Sequence, residues 1–416
     1  MSQPAPIAIV GGGPCGLTFA RLLERAGIDY VVFERDASAA PGTQNQGGSL
    51  DLHTGTGLAA LEAAGLKEEF DRFARYEGAV FTVQDSQGAN RFTTAPDEGG
   101  EERPEIDRRQ LRRLLLDSLP ADRVRWGKAL RAVEREQGDV KGAEGWVLRF
   151  SDGSSESGFR LVVGADGAWS AVRPVITPAK PIYSGKTYFE GRFTQSNPQY
   201  AAALEMVGPG NSAAIGAGRV LVVQQMADRT YRMYAGIEEP DTSRTRAGGV
   251  LDFAADVEAS RAALLDLFAG WAPHLRAFVE RAEGPWRVWP LYTFTADVFA
   301  EGSAWTRAPG VTLLGDAAHV ALPNGEGVNA AMLDALKLFE CLTAELGGGG
   351  QQKPFEAAAD AAAIERAVAA YETEMRGRAG EHVDDGIMMN DMMYKADGAE
   401  RMVAMFKQFA EGAGQS

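Results

Sequence analysis

Three short segments carry residue types and spacings that could do chemistry. The first, Gly11-Gly12-Gly13-Pro14-Cys15-Gly16, breaks an apolar run at Ile7–Val10 and is followed by Leu17, Phe19, Ala20, Leu22 and Leu23 at helical spacing. Strand, glycine turn and helix in that order make a pyrophosphate cradle: Gly11 permits the tight turn, Gly13 lets backbone approach the phosphates, and Gly16 lets the helix pack close to the strand. Gly11, Gly13, Pro14 and Gly16 are therefore candidate contacts. A second apolar run, Tyr30–Phe33, ends at Glu34 and Arg35, about twenty residues beyond the turn, where a carboxylate accepts hydrogen bonds from a ribose diol. Arg35 reads either as a partner for adenine or phosphate or as a surface charge. The unit points to a dinucleotide without distinguishing NAD(P) from FAD.

The second segment, Leu161-Val162-Val163-Gly164-Ala165-Asp166-Gly167, is a buried strand that delivers an acid into a turn, with Ser170 and Arg173 close behind. The third, Val311-Thr312-Leu313-Leu314-Gly315-Asp316-Ala317-Ala318-His319, repeats that logic and places Asp316 to accept a hydrogen bond from a polyol such as a ribityl chain. Pro323-Asn324-Gly325-Glu326-Gly327-Val328-Asn329 then leads into a helix marked by Met332, Ala335, Leu336 and Phe339. N–H groups at a helix start have no intrahelical partner, and the helix dipole favours negative charge there, such as that on the pyrimidine end of a reduced flavin. The alternative is a loop–helix junction with ordinary turn glycines.

Residues 11–16, 164–167 and 315–316 stand in the order and separation of the three fingerprints of the single-component FAD aromatic hydroxylases, which the chain resembles over nearly its whole length. Within that family it is most similar to the tetracycline-inactivating monooxygenases, notably in Gly47-Gly48-Ser49-Leu50-Asp51-Leu52-His53 and Pro104-Glu105-Ile106-Asp107-Arg108-Arg109-Gln110-Leu111-Arg112. The resemblance implies the para-hydroxybenzoate hydroxylase fold: an α/β Rossmann-type FAD-binding domain with an inserted β-sheet substrate domain and a long C-terminal helix. The corresponding segments are 1–75, 95–177 and 282–350 for the FAD domain, 76–94 and 178–281 for the substrate domain, and 351–416 for the C-terminal helical segment. It also implies that Asp51, Arg112 and Asp316 contact FAD and that Glu34 and Arg35 hold its AMP half. Asp166, Gly327, Val328 and Asn329 complete the cofactor set. Read from spacing alone, Arg112 lies on the helical pattern of Leu111, Leu114 and Leu115, where a surface salt bridge is the alternative.

By the same resemblance, FAD is held tightly but not covalently and is reduced by NADPH, or NADH. Oxygen then adds to give a flavin C4a-hydroperoxide, whose distal oxygen passes to a small aromatic or polyketide-like molecule, tetracycline-like antibiotics included. The cofactor carries the hard step, and the protein binds, orients and excludes water. No catalytic side chain is expected, and the sequence shows no Ser/His/Asp or carboxylate-pair constellation; His53 and His319 read either as bases or, preferably, as structural or orienting histidines. Gly208-Pro209-Gly210 and Gly216-Ala217-Gly218 lack strand–helix context, so the nicotinamide is expected to dock transiently, without a Rossmann unit of its own. Where the tetracycline enzymes carry an arginine before the paired glycines, this chain has Gln44. A flavoprotein of the same fold that sequesters a ligand, or acts as an oxidase or reductase, is the competing expectation.

Behind these residues stand the elements that must position them. Residues 188–193, 220–223 and 230–237 read as strands of a second sheet walling a pocket. Tyr188, Glu190 and Arg192 share one face by the period of two, either lining that pocket or forming a solvated edge. Glu190 stands where the tetracycline enzymes present a glutamine, and their substrate-contacting arginine and histidine are replaced near Asn211 and Arg232. Methionines 388, 389, 392, 393, 402 and 405 in the C-terminal region read either as core or as an adaptable ligand surface; the resemblance puts Met389 and Met393 at the substrate mouth. Residues 97–102 read as a solvated loop and 347–353 as a linker.

Composition bounds the partners. A net charge of −15 without a basic cluster excludes nucleic acid and anionic membrane as partners and leaves a small-molecule substrate, O2 and NAD(P)H. Two distant cysteines and four scattered histidines offer neither a disulfide framework nor a metal set. The first residues have no signal-peptide pattern, and a cytoplasmic monomer or homodimer is expected.

Overall fold

The run Ile7–Val10 is apolar at every position, and a strand buried on both faces belongs inside a sheet covered on both sides. In the computed structural model it is the centre of a five-stranded parallel sheet in the order Val311–Leu313, Leu161–Gly164, Ile7–Val10, Tyr30–Phe33 and Val124–Arg125. The structure describes residues 5–40, 47–94, 103–135, 145–347 and 356–413, with side chains to residue 408. Gln44, the acidic stretch 97–102 and all of 347–353 but Gly347 lie outside that set.

Gly11, at φ +110°, makes the turn out of the first strand, and a Cβ there would lie 2.2 Å from the Ala165 carbonyl oxygen. A Cβ at Gly16 would lie 2.2 Å from the Gly11 carbonyl oxygen. Both contacts let helix Pro14–Arg25, which opens on proline, sit directly against the strand ends. That helix packs on Gly327–Leu346, which packs in turn on the long helix Ala357–Met393.

A seven-stranded sheet forms the second layer, in the order Glu283–Thr293, Ile182–Phe193, Tyr231–Glu238, Arg219–Gln225, Asn211–Gly216, Phe81–Asp85 and Phe92–Thr93. All its pairings are antiparallel except that between Asn211–Gly216 and Phe81–Asp85. Phe189, Phe193, Leu221 and Val223 bury one face against Phe268 and Phe278 of the helical cover. Strand Glu283–Thr293 lies beyond residue 282, where the sequence reading returned the chain to the first domain. It pairs with Ile182–Phe193 at the edge of the second sheet.

The long C-terminal helix joins the two layers. Up to Val383 it contributes Tyr371, Met375, Ala379 and Val383 to the core around the parallel sheet. Met393 and the following Tyr394 and Met402 pack on Val83, Ala213 and Ile215 of the second sheet. No helix among the described residues is long and apolar enough to cross a membrane. The fully buried Tyr371 donates its hydroxyl to the Leu313 carbonyl at 3.0 Å. Tyr371→Phe strands that buried acceptor and should lower unfolding free energy by about 1 kcal/mol. The urea midpoint reads this directly, and an unchanged midpoint would remove the bond from the account of how the helix is anchored.

Candidate cofactor and substrate site

A cavity of about 2370 Å³ runs between the parallel sheet, the second sheet and the end of the long helix. Pockets for single drug-sized ligands occupy about 300–1,000 Å³, so the space admits a dinucleotide and a second molecule together. Of the candidate cofactor and substrate contacts named from sequence, all line it except Gly16, Asn329 and Arg192.

At the nucleotide end, Glu34 is 6% exposed and its carboxylate is fixed by two backbone donors, Gly12 N–H to Oε2 at 2.6 Å and Asp36 N–H to Oε1 at 2.9 Å. Lone pairs remain for a diol. Arg112 donates Nε to the Gly12 carbonyl at 2.9 Å and pairs with Asp36 at 3.0 Å. It therefore braces the glycine loop as well as facing the cavity, and the salt bridge weighed from sequence is present within the site. Arg35 is exposed on the rim. A Cβ at Gly13 would meet no protein atom within 4 Å, which leaves that backbone open to a ligand.

At the other end, Asp316 is exposed to the cavity on a turn whose underside is anchored by a buried ion-pair cluster. Asp334 Oδ2 accepts from Gly315 N–H at 3.0 Å and meets His319 Nε2 at 2.6 Å, while Oδ1 accepts from Arg378 at 3.0 Å. Burial opposes both charges of the His319–Asp334 pair, yet their mutual attraction raises the histidine pKa and lowers that of the aspartate. Asp166 Oδ2 accepts from Ala171 N–H at 2.7 Å, whereas the buried Oδ1 makes no hydrogen bond. In helix Gly327–Leu346 the first intrahelical bond is Ala330 N–H to Glu326 C=O, so the N–H groups of Gly327, Val328 and Asn329 precede the ladder. The Asn329 side chain turns away from the cavity: Oδ1 accepts from His53 N–H at 2.9 Å and Nδ2 donates to Asp51 C=O at 2.9 Å.

Asp51 and the loop before that helix are tied together by His53. Its Nε2 lies 2.7 Å from Asp51 Oδ2 and its Nδ1 3.0 Å from Glu326 Oε1. Burial lowers the imidazole pKa, but hydrogen bonds and charge from the two carboxylates outweigh it and raise the value to about 9. The histidine is thus a cationic clamp. Sequence suggested an orienting role for His53 but gave no sign of Glu326, because the pairing joins two distant loops.

The substrate-facing wall mixes chemistries. Glu190 is 2% exposed, and its oxygens are taken by Arg232 at 3.0 Å and the Trp289 indole N–H at 2.9 Å. Its part is to orient those two side chains. Arg192 lies opposite Arg232 across the strand pair and outside the cavity lining, and the pairing with Glu283–Thr293 shifts register between Glu190 and Arg192. Met389 and Met393 line the cavity; Met393 is also core, at 7% exposed, so the two readings of the methionine stripe coexist. Glu105, Trp289, Gln224 and Tyr234 line the same cavity and were not assigned from sequence; Asn211, near a substrate position of the resemblance, lines it too.

The residues fit an FAD. A buried acid held by backbone donors stands at one end, free helix-start N–H groups and the unpartnered Asp166 Oδ1 at the other, in one continuous space.

Comparison with known proteins agrees with that chemistry. The family profile described as FAD binding domain matches residues 4–191 and 287–372. The monooxygenase penA of Penicillium thymicola is 32% identical over 401 residues, covering 86% of this chain and 89% of the relative. The structure of Klebsiella pneumoniae HpxO complexed with FAD and uric acid superposes with a TM-score of 0.72 at 23% identity, covering 98% of this chain and 93% of that one. The tetracycline destructase Tet(51) shares the fold at a TM-score of 0.66 and 16% identity, covering 99% and 98%.

Two outcomes are expected. Asp316→Ala should leave the fold intact and weaken FAD retention by about 10- to 100-fold, the worth of a charged hydrogen bond; unchanged flavin content would remove Asp316 from the site. Because the folded His53 pKa of about 9 lies above the ordinary 6.5, the clamp contributes fully below pH 6.5 and is lost as pH rises through about 9. Melting temperature should fall across that window in the wild-type protein and fall less in His53→Gln, a difference that vanishes if the clamp contributes nothing.

Proposed function

The chain belongs to the FAD binding domain family and is a flavin-dependent monooxygenase, and from that premise we propose that it consumes NADPH or NADH and O2 to place one oxygen atom on a small aromatic or polyketide-like molecule. The observation that supports this most directly is that, among the described residues, one cavity is lined both by the dinucleotide cradle and by a wall of mixed apolar and polar side chains. Bound FAD supplies the redox chemistry, accepting electrons from the nicotinamide and delivering one atom of O2.

The protein's own residues hold, orient and enclose. In this reading Glu34 takes the ribose diol, N–H groups of the Gly11–Gly13 turn face the pyrophosphate, and Asp316 takes a ribityl hydroxyl. The N–H groups of residues 327–329 and the start of their helix favour negative charge at the reacting end. Met389 and Met393 cover the substrate with a surface that reshapes around varied rings. Glu190, with both oxygens held, keeps the Trp289 indole and Arg232 in fixed positions at the wall. The uric acid held by the structurally similar HpxO supports a small planar heteroaromatic as one acceptable shape, and likeness to a tetracycline destructase supports larger fused rings.

Oxygen uptake by the FAD-loaded protein should be measured with NADPH and with NADH across a panel of phenols, quinones and polyketides, with product mass spectra. At least one compound is expected to gain a single oxygen, with uptake matched to product. Ligand binding without uptake would replace this reading by sequestration, and uptake yielding only hydrogen peroxide would replace it by an oxidase.

A further inference from the structure

The two-stranded ladder Ser49–Asp51 with Glu105–Asp107 sets two carboxylates opposite each other. Asp51 and Glu105 are register partners, and directly opposed residues of an antiparallel pair project to the same face. Both line the cavity. Like charges so placed repel, so the arrangement is a liability for folding unless it serves the site.

The charged and polar neighbours of the two acids are unequal. Asp51 is matched by the His53 clamp. Glu105 is 5% exposed and held only by neutral donors: the Ser49 hydroxyl to Oε2, and Asn211 Nδ2 to Oε1 at 2.7 Å. Arg75, whose charge acts on Glu105, gives its guanidinium to Asp107 at 2.9 Å and to the Ser49 oxygen at 2.8 Å. Facing Glu105 are therefore Asp51 and Ser49 from one strand, Asn211 from the second sheet, and Arg75, engaged with Asp107. Asn211 Oδ1, at the same corner of the cavity, is buried without a hydrogen-bond partner.

We propose that Glu105 is the proton acceptor of the substrate pocket, taking the proton of an acidic hydroxyl on an aromatic or enolic substrate so that the ring meets oxygen transfer as its electron-rich anion. The inference rests on the monooxygenase reading above. The substrate O–H bond breaks with its electron pair left on the substrate oxygen, and the proton bonds to a carboxylate oxygen of Glu105. As product leaves, the proton passes to water. The step itself is a proton transfer and uses no further oxidant or reductant. Asn211 Oδ1 accepts from a second donor on the substrate, which narrows the class to rings carrying a hydroxyl beside another hydroxyl or an amine.

The electrostatics suit the task. Burial first, then the charge of Asp51, push the Glu105 carboxyl up to about 7, against hydrogen bonds from Ser49 and Asn211 and the charge of Arg75. A base titrating there is half ionised near neutrality and returns its proton readily.

The test uses FAD-loaded enzyme, NADPH, O2, a phenol from the panel that gains an oxygen, and the methyl ether of that phenol. With wild-type protein, phenol oxygenation should rise with pH through about 7 as Glu105 ionises. Glu105→Gln should retain FAD and NADPH oxidation, lose phenol oxygenation by about 100-fold or more, and lose that limb. The ether, having no proton to give, should react at the same rate with both proteins. Ser49→Ala removes a hydrogen bond that favours the ionised carboxylate and should move the limb to higher pH, which decides the matter if Glu105→Gln fails to hold FAD. Wild-type phenol rates and an unmoved limb in Glu105→Gln, or an unmoved limb in Ser49→Ala, overturn the proposal. Absence of any oxygenated product from the wild type is a distinct result: it overturns the monooxygenase reading and the inference with it.

Discussion

The structure depends on one packing constraint: a space large enough for a dinucleotide and a substrate must be walled from two directions and still exclude water. Neither sheet can do this alone. The parallel sheet offers strand ends and helix starts, which carry donors for phosphate and polyol, but no apolar wall for a second ligand. The second sheet offers that wall but no cradle. Helix Ala357–Met393 holds them in register because its residues from Ile364 to Val383 pack into one core and its last turn into the other. Tyr371, Met375 and Met393 are thus as much part of the site as residues that touch it.

Within that space, charge is arranged by pairing rather than by excess. A chain of net charge −15 lines its cavity with acids, and several are matched. Glu34 has backbone N–H groups, Asp51 has His53 and Glu190 has Arg232, while Asp334, under the Asp316 turn, has His319 and Arg378. Burial makes each match matter, since an unpaired charge in a low-dielectric wall is strongly unfavourable. Glu105 combines neutral hydrogen-bond donors with a second carboxylate opposite it in the strand pair, and that combination, more than its burial, sets it apart.

The local part of this design was legible. Gly11, Gly13 and Gly16 announce a cradle because turn, approach and packing each demand glycine within a few residues of chain. Glu34 and Asp316 could be singled out because they end apolar strands beside glycine. Asn329 was legible as a position but not as a role: its neighbours suggest a cofactor contact, while its side chain holds the backbone of residues 51–53. The period of two joined Glu190 and Arg192 on one face, yet a register shift separated their surroundings. The methionines were ambiguous in principle, because helical spacing is the same for a core stripe and a ligand surface.

What the sequence determined by itself was therefore a dinucleotide cradle, whose chemistry is completed within a single strand–turn–helix unit, and, through the order of three separated fingerprints, the resemblance that implied FAD and the α/β architecture. Tertiary structure alone decided which carboxylates are paired. Asp51 with Glu105, His53 with Glu326 and His319 with Asp334 meet through strand register and loop packing between segments distant in the chain. Periodicity carries no information about such meetings. The protonation state of each acid, and hence its use, follows from partners and burial that exist only once the chain has folded.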